Sequence, residues 1–190
     1  MLLHRLRHDT RERHERVELT LGLLDRPPAA GEYRTLLRKF YGYYEPVEAR
    51  LASLPWEAVG FDWPARRKVP MLERDLIALG DDRNALPAVP RCPHLPPLTT
   101  LPAALGCVYV LEGATLGGRV ITRRLGGVPG GPLPAAFFAS YGDDVGRRWT
   151  EFGAFLTAYA TGRDEDDEIV ESARQTFDTL GAWLAAGEAG

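Results

Sequence analysis

The chain has 190 residues, 45% of them hydrophobic, and its 23 basic and 26 acidic side chains leave a formal charge of −3. That length suits one domain spanning residues 1–190, large enough to bury a core without staples. The acidic balance and the lack of basic–aromatic interleaving argue against nucleic acid as a partner. No run of about 18 apolar residues occurs, so a membrane span is not expected. Cys92 and Cys107 are the only cysteines and form no Cys-x-x-Cys pair, which indicates neither a disulfide framework nor a zinc site.

In chain order the pattern reads as helices joined by Pro/Gly-rich loops. The opening stretch MLLHRLRHDTRERHERVE is charged throughout and has no apolar signal core, so a cytoplasmic location is expected. Residues 3–24 are periodic and made basic by Arg5, Arg7, Arg11, Arg13 and Arg16. Residues 31–54 follow, with Leu37, Phe40, Tyr44, Val47, Leu51 and Leu54 at helical spacing and Pro46 predicting a kink. A shorter helix is predicted over 65–79, stopping at Gly80. Residues 81–100 hold five prolines and read as loop. A long helix covers about 101–125 and stops at the Gly126–Gly131 turn. A short helix near 134–140 and two longer ones, about 143–161 and 166–186, complete an all-α chain. The acidic run Asp164 to Glu168 reads as solvated helix surface.

The long helix contains Y-V-L-E-G-A-T-L-G-G-R-V-I, residues 109–121, with three glycines inside a helical run. Each interior glycine costs roughly 1 kcal/mol relative to alanine, so something must need the space. On a helical wheel Gly106, Val110, Gly113 and Gly117 form one stripe, with Glu112, Thr115, Arg119 and Arg123 opposite. The stripe is expected on the buried face. Close helix packing and a flat ligand against bare backbone both explain it, and spacing does not choose between them.

The first helix adds a second clue. Leu3, Arg7, Thr10, Arg11, Glu18 and Leu21 all lie within about 60° of His14 on the wheel. Glu18, one turn on, is placed to orient the imidazole while the other ring nitrogen meets a metal. Arg7 and Arg11 are placed to meet anionic groups. A histidine on one side, bare backbone on the other and cations at the edge suit a flat, anionic, iron-bearing ligand such as haem.

L-R-H-D-T-R-E-R-H-E-R-V-E, residues 6–18, resembles the proximal-helix motif of haem oxygenases, and residues 109–121 resemble their distal helix, especially in the bacterial type associated with bacteriophytochromes. The resemblance covers most of the chain. It implies that His14 is the iron ligand, Glu18 its hydrogen-bond partner, and Arg7 and Tyr109 contacts of the haem propionates, with Arg147 and Arg148 further candidates by position. It also implies that Gly113 and Gly117, with Gly118 adjoining, are the flexible distal glycines. Many relatives carry an aspartate after the first distal glycine; here Ala114 stands there.

The implied reaction is oxidative opening of haem, both cofactor and substrate, to biliverdin, carbon monoxide and ferrous iron with dioxygen. No flavin or NAD signature appears, so a ferredoxin or reductase must supply electrons, and a bacteriophytochrome is the implied acceptor of biliverdin. Ala114 keeps open a non-catalytic haem carrier or chaperone on the same fold. A helical interaction module with packing glycines is the third reading. Cys92-Pro93 and His94 are read as loop residues and Cys107 as core.

Overall fold

The computed structural model describes residues 2–23, 28–128 and 131–186. The expected first-helix end at residue 24 and part of the turn after the long helix, Pro129 and Gly130, lie outside them. Among the described residues there are seven α-helices: α1 (Leu2–Leu21), α2 (Ala30–Ala52), α3 (Val69–Ala78), α4 (Leu101–Gly126), α5 (Ala136–Ala139), α6 (Val145–Ala160) and α7 (Asp166–Ala185). No strand occurs among the described residues, so the all-α expectation holds.

Helix α2 runs through Pro46 without a break. Proline lacks the N–H that would bond the carbonyl four residues back, which here belongs to Gly42. The Cys92 N–H takes that free carbonyl instead, at 2.9 Å. Gly42 also lets the Pro90 carbonyl come so close that a Cβ there would collide with it. One proline and one glycine in α2 thus dock the Pro-rich loop.

The expected 65–79 helix is split into a short 3₁₀ turn, Pro64–Arg66, and α3. The cause is Glu48 on α2. Its buried carboxylate accepts the backbone N–H groups of Lys68 at 2.5 Å and Val69 at 3.0 Å. Those otherwise orphaned donors start a new helix, with Pro70 in its first turn. Gly80, at φ +92°, lies just beyond its end as predicted. The 81–100 loop contains a 3₁₀ turn over Arg83–Ala88.

Helix α4 is capped by the Thr100 hydroxyl, which accepts the Ala103 N–H at 3.2 Å. By length and composition it could cross a bilayer, with a mean hydropathy of 1.3 over its most apolar stretch. However, 56% of that stretch is buried, and α4 packs on α5, α6 and most extensively α7. It is the core helix, and its apolar length is spent on protein contacts.

Helix α1 is fastened along one edge to α7. Arg13 grips Asp178 at 2.9 and 3.0 Å, Arg174 holds Asp9 at 2.8 Å, and Arg5 reaches Asp167 at 2.5 Å. The acidic run is therefore partly a docking edge rather than solvated surface alone. Asp75 of α3 accepts the N–H groups of Ala136 and Phe137, both at 2.9 Å, which pins α5 across the aromatic residues of α2.

Gly42→Ala is expected to cost about 1–3 kcal/mol, since the methyl must displace the backbone of Pro90. Urea unfolding of the two proteins checks it; equal midpoints would show that the loop is not seated through Gly42.

Candidate functional site

Between α1 and α4 lies a cavity of about 810 Å³, within the range of small-molecule sites. Helix α1 forms one wall with Arg7, Thr10, Arg11, His14 and Glu18, and α4 forms the other with Tyr109, Val110, Gly113, Ala114, Gly117 and Ile121 among others. Phe40, Tyr44, Phe137 and Phe138 close one end, and Phe177 and Leu180 of α7 contribute to the lining.

The histidine expected to face this space does so. His14 has a half-exposed side chain and rests edge-on against the Phe177 ring, with centroids 5.9 Å apart. Its Nε2 lies 3.7 Å from a Glu18 oxygen, too long for a hydrogen bond, so the two are neighbours rather than a fixed pair. Arg5, Arg13 and Arg16 are drawn to aspartates of α7. Arg7 and Arg11 line the cavity at its solvent edge and, among the described residues, have no ion-pair partner. An unneutralised pair of guanidinium groups at an apolar opening is an anion site in the making.

Tyr109 is buried at the same edge, its ring 5.7 Å from that of Trp149. Burial pushes its phenol upward, opposed by the Thr10 hydroxyl and the Arg7 charge.

The glycines of α4 separate into two kinds. A Cβ on Gly106 would strike the Ile169 carbonyl of α7, and one on Gly118 would strike the Phe138 carbonyl. These two serve close backbone packing, and neither lines the cavity. Gly118 is therefore corrected from ligand contact to packing residue. Gly113 and Gly117 do line the cavity. A Cβ at Gly113 would only graze the Trp149 ring at 3.8 Å, and one at Gly117 would meet nothing within 4 Å. Packing does not explain Gly117. It leaves open space beside bare backbone.

The expected burial of the wheel is also corrected. Gly117 is exposed to the cavity, while Glu112 and Thr115, placed opposite the stripe, are buried. Glu112 is 2% exposed and is held by Arg66 at 2.5 Å, Lys68 at 3.3 Å and the Tyr141 hydroxyl at 2.6 Å. The second face of α4 carries a buried polar cluster around Glu112, with Arg119 and Arg123 exposed further along it.

Arg147 and Arg148 do not reach the cavity. Arg147 is spent on Asp144 at 3.2 Å and Glu151 at 2.5 Å, and Arg148 stacks over the Tyr141 ring. Cys92 is buried and bonds the His94 carbonyl at 3.4 Å, while Cys107 is fully buried with its thiol pushed up to about 12; neither lines the cavity. Sequence reasoning missed Tyr44, Phe137, Phe177 and Lys68, because each reaches the cavity from another element. The one signal for Lys68 was its place beside a predicted helix start, and the run R-R-K reads first as surface charge.

Comparison with known proteins bears on the same geometry. Residues 1–186 match the family described as heme oxygenase. The heme oxygenase of Xanthomonas campestris is 32% identical over 157 residues, which cover 83% of this chain and 91% of that protein. The fold is similar to heme oxygenase from Leptospira interrogans, with a TM-score of 0.72 at 19% identity over 97% of this chain and 98% of that one. It is also similar to heme oxygenase-1 from the cyanobacterium Synechocystis, crystallised with heme, with a TM-score of 0.73 at 18% identity over 96% and 90% of the two chains. A cavity with a histidine on one wall and bare helix backbone on the other, found on this fold and in this sequence, has one reading: the chain belongs to the haem oxygenase family.

Proposed function

We infer that the chain binds haem in the α1–α4 cavity and opens it oxidatively to biliverdin, carbon monoxide and ferrous iron. The observation that carries this is Gly117. Its backbone faces a cavity that no protein atom fills, opposite a histidine whose ring is half-exposed. The residues present fit haem. The lining is dominated by aromatic and aliphatic side chains, and the two unpaired arginines, Arg7 and Arg11, stand where propionates would emerge. When bound, haem supplies the iron at which dioxygen is activated and the ring that is opened.

The protein's own part is binding and orientation. His14 offers its imidazole from α1, with a Glu18 carboxylate oxygen 3.7 Å from its Nε2. Arg7, Arg11 and Tyr109 fix the anionic edge at the solvent side. Gly113 and Gly117 let the α4 backbone approach the opposite face. Phe137, Phe138 and Phe177 exclude water from the inner edge.

Electrons come from a ferredoxin or reductase partner, as the resemblance implies, since the sequence carries no flavin or NAD signature. A bacteriophytochrome as the recipient of biliverdin follows from the resemblance of residues 109–121 to that bacterial type. Two free, buried cysteines suit a reducing, cytoplasmic setting. A non-catalytic carrier would have the same pocket, and turnover separates the two. Hemin added to the purified protein is expected to give a sharp Soret band. Reductant under air, with catalase present, is then expected to replace it with biliverdin absorption. A stable complex that only autoxidises would favour the carrier.

His14→Ala is expected to abolish turnover while retaining most hemin affinity, because apolar burial of the porphyrin supplies most of the binding. An unchanged ferric spectrum in that variant would remove His14 as the ligand.

The two kinds of glycine give opposite expectations. Gly117→Ala should stabilise the apoprotein by about 0.5–1 kcal/mol yet weaken hemin binding and turnover, since its methyl enters ligand space. Gly118→Ala should destabilise by about 1–3 kcal/mol through the Phe138 carbonyl. Thermal melts paired with hemin titrations check both, and equal effects at the two positions would refute the division.

A further inference from the structure

A histidine that binds a metal must present one ring nitrogen along one direction, because the lone pair of that nitrogen lies in the ring plane. The torsion that turns an imidazole about its Cβ–Cγ bond is broad and roughly two-fold, so the plane stays free unless a neighbour fixes it. Among the described residues His14 makes no hydrogen bond. Glu18, the neighbour on its own helix, is half-exposed and stands 3.7 Å from Nε2. A carboxylate so far away and so open to water does not hold a ring in place.

The contact that bears on the plane comes from α7. The Phe177 ring stands at 83° to the imidazole, with centroids 5.9 Å apart, the edge-to-face arrangement that aromatic pairs prefer. Of the aromatic rings that line the cavity, it is the one in ring contact with His14 among the described residues. Phe177 is 7% exposed, so core packing holds its own ring still. The helices keep the pair in register. Arg13 and His14 are consecutive on α1, as Phe177 and Asp178 are on α7, and Arg13 Nε donates to both Asp178 oxygens at 2.9 and 3.0 Å. One turn earlier Arg174 donates to Asp9 at 2.8 Å. One turn later Gly181 lets α1 come close, since a Cβ there would stand 3.4 Å from Val17 Cγ2. Residues 9, 13 and 17 thus meet 174, 178 and 181 in the same order, so the two helices run parallel. Contacts on both sides of His14 keep α1 from rolling about its axis, the motion that would carry the imidazole out of the cavity.

We propose that Phe177 is a positioning residue for His14: its ring sets the plane of the imidazole presented to the cavity, and the Arg13–Asp178 pair fixes the helix that carries it. This rests on the haem reading of the cavity, in which His14 is the iron ligand. It gives the orienting role to an aromatic side chain of α7, where the resemblance placed it on Glu18. Phe177 acts through His14, so its removal should matter only while His14 is there to be oriented.

The test uses the full chain, first without and then with hemin. Phe177→Leu removes the ring and keeps an apolar side chain. In the apoprotein the His14 ring protons are expected to lose the NMR shift that a neighbouring phenyl imposes. In the ferric hemin complex with cyanide, the spread of the haem-methyl proton shifts follows the imidazole plane, and it is expected to change. A double-mutant cycle on hemin affinity separates orienting from lining. Phe177→Leu should weaken binding about fivefold beside His14 and leave it unchanged in the His14→Ala background. Phe177→Tyr keeps the ring and should restore all three readouts. Phe177→Met is the second ring-free variant, and Asp178→Ala, at a half-exposed position, decides the matter if neither folds, since it loosens α1 beside Phe177 and must move the His14 ring-proton shifts. Unmoved His14 shifts, or an equal loss of affinity in both backgrounds, would overturn the proposal. A missing Soret band in the unaltered protein, or an unchanged ferric spectrum in His14→Ala, would instead overturn the haem reading.

Discussion

Helix α4 must be packed tightly along most of its length and yet leave one stretch of backbone uncovered. The two demands are met by glycines used in opposite ways. At Gly106 and Gly118 the missing side chain lets a carbonyl of a neighbouring segment, Ile169 of α7 or Phe138 of α5, come against the helix. At Gly113 and Gly117 it leaves a void. Each interior glycine weakens the helix by about 1 kcal/mol. At the first pair close packing offsets that cost. At the second nothing in the protein does, which is the signature of a site that a ligand completes.

Everything else holds that gap open at the right width. The ion pairs between α1 and α7 set how far α1 stands from α4, since both helices rest on α7. Asp75 fixes α5 by its backbone, which places Phe137 and Phe138 at the inner end and the Phe138 carbonyl against Gly118. Five arginines on one helix looked alike as sequence, but the fold sorts them. Those turned toward α7 find aspartates, and the two turned toward the cavity find none among the described residues. The positive edge is a residue of that sorting, not of composition.

The helices were legible because their apolar periodicity and their Gly/Pro punctuation agree. The 65–79 segment was not, because its break depends on Glu48, about twenty residues earlier, capping a helix it does not belong to. His14, Arg7 and Arg11 were legible as one face of one helix. Gly106 and Gly117 could not be told apart, for they share one stripe of the wheel and only the neighbours decide whether the space beside each is filled. Arg147 and Arg148 looked like propionate partners by position alone. Glu151 and Asp144 on one side and Tyr141 on the other claim them first.

The cluster of Arg66, Lys68 and Glu112 shows why a buried charge need not be read as a stabilising one. Taking such groups out of water costs several kcal/mol each, and an apolar replacement of like volume is often as stable or more so. Glu112 would be neutralised by Arg66 alone at 2.5 Å. The lysine is therefore surplus to the pair it joins, and it is the member that touches the cavity. Its position also gives the cavity a polarity, with two unpaired cations at the solvent edge and one partly compensated cation deep inside. A flat ligand with its acids on one side enters only one way round. Its anionic edge would stay with Arg7 and Arg11, and its apolar edge would go inward against Phe137 and Phe177. Orientation would then follow from this arrangement of charge.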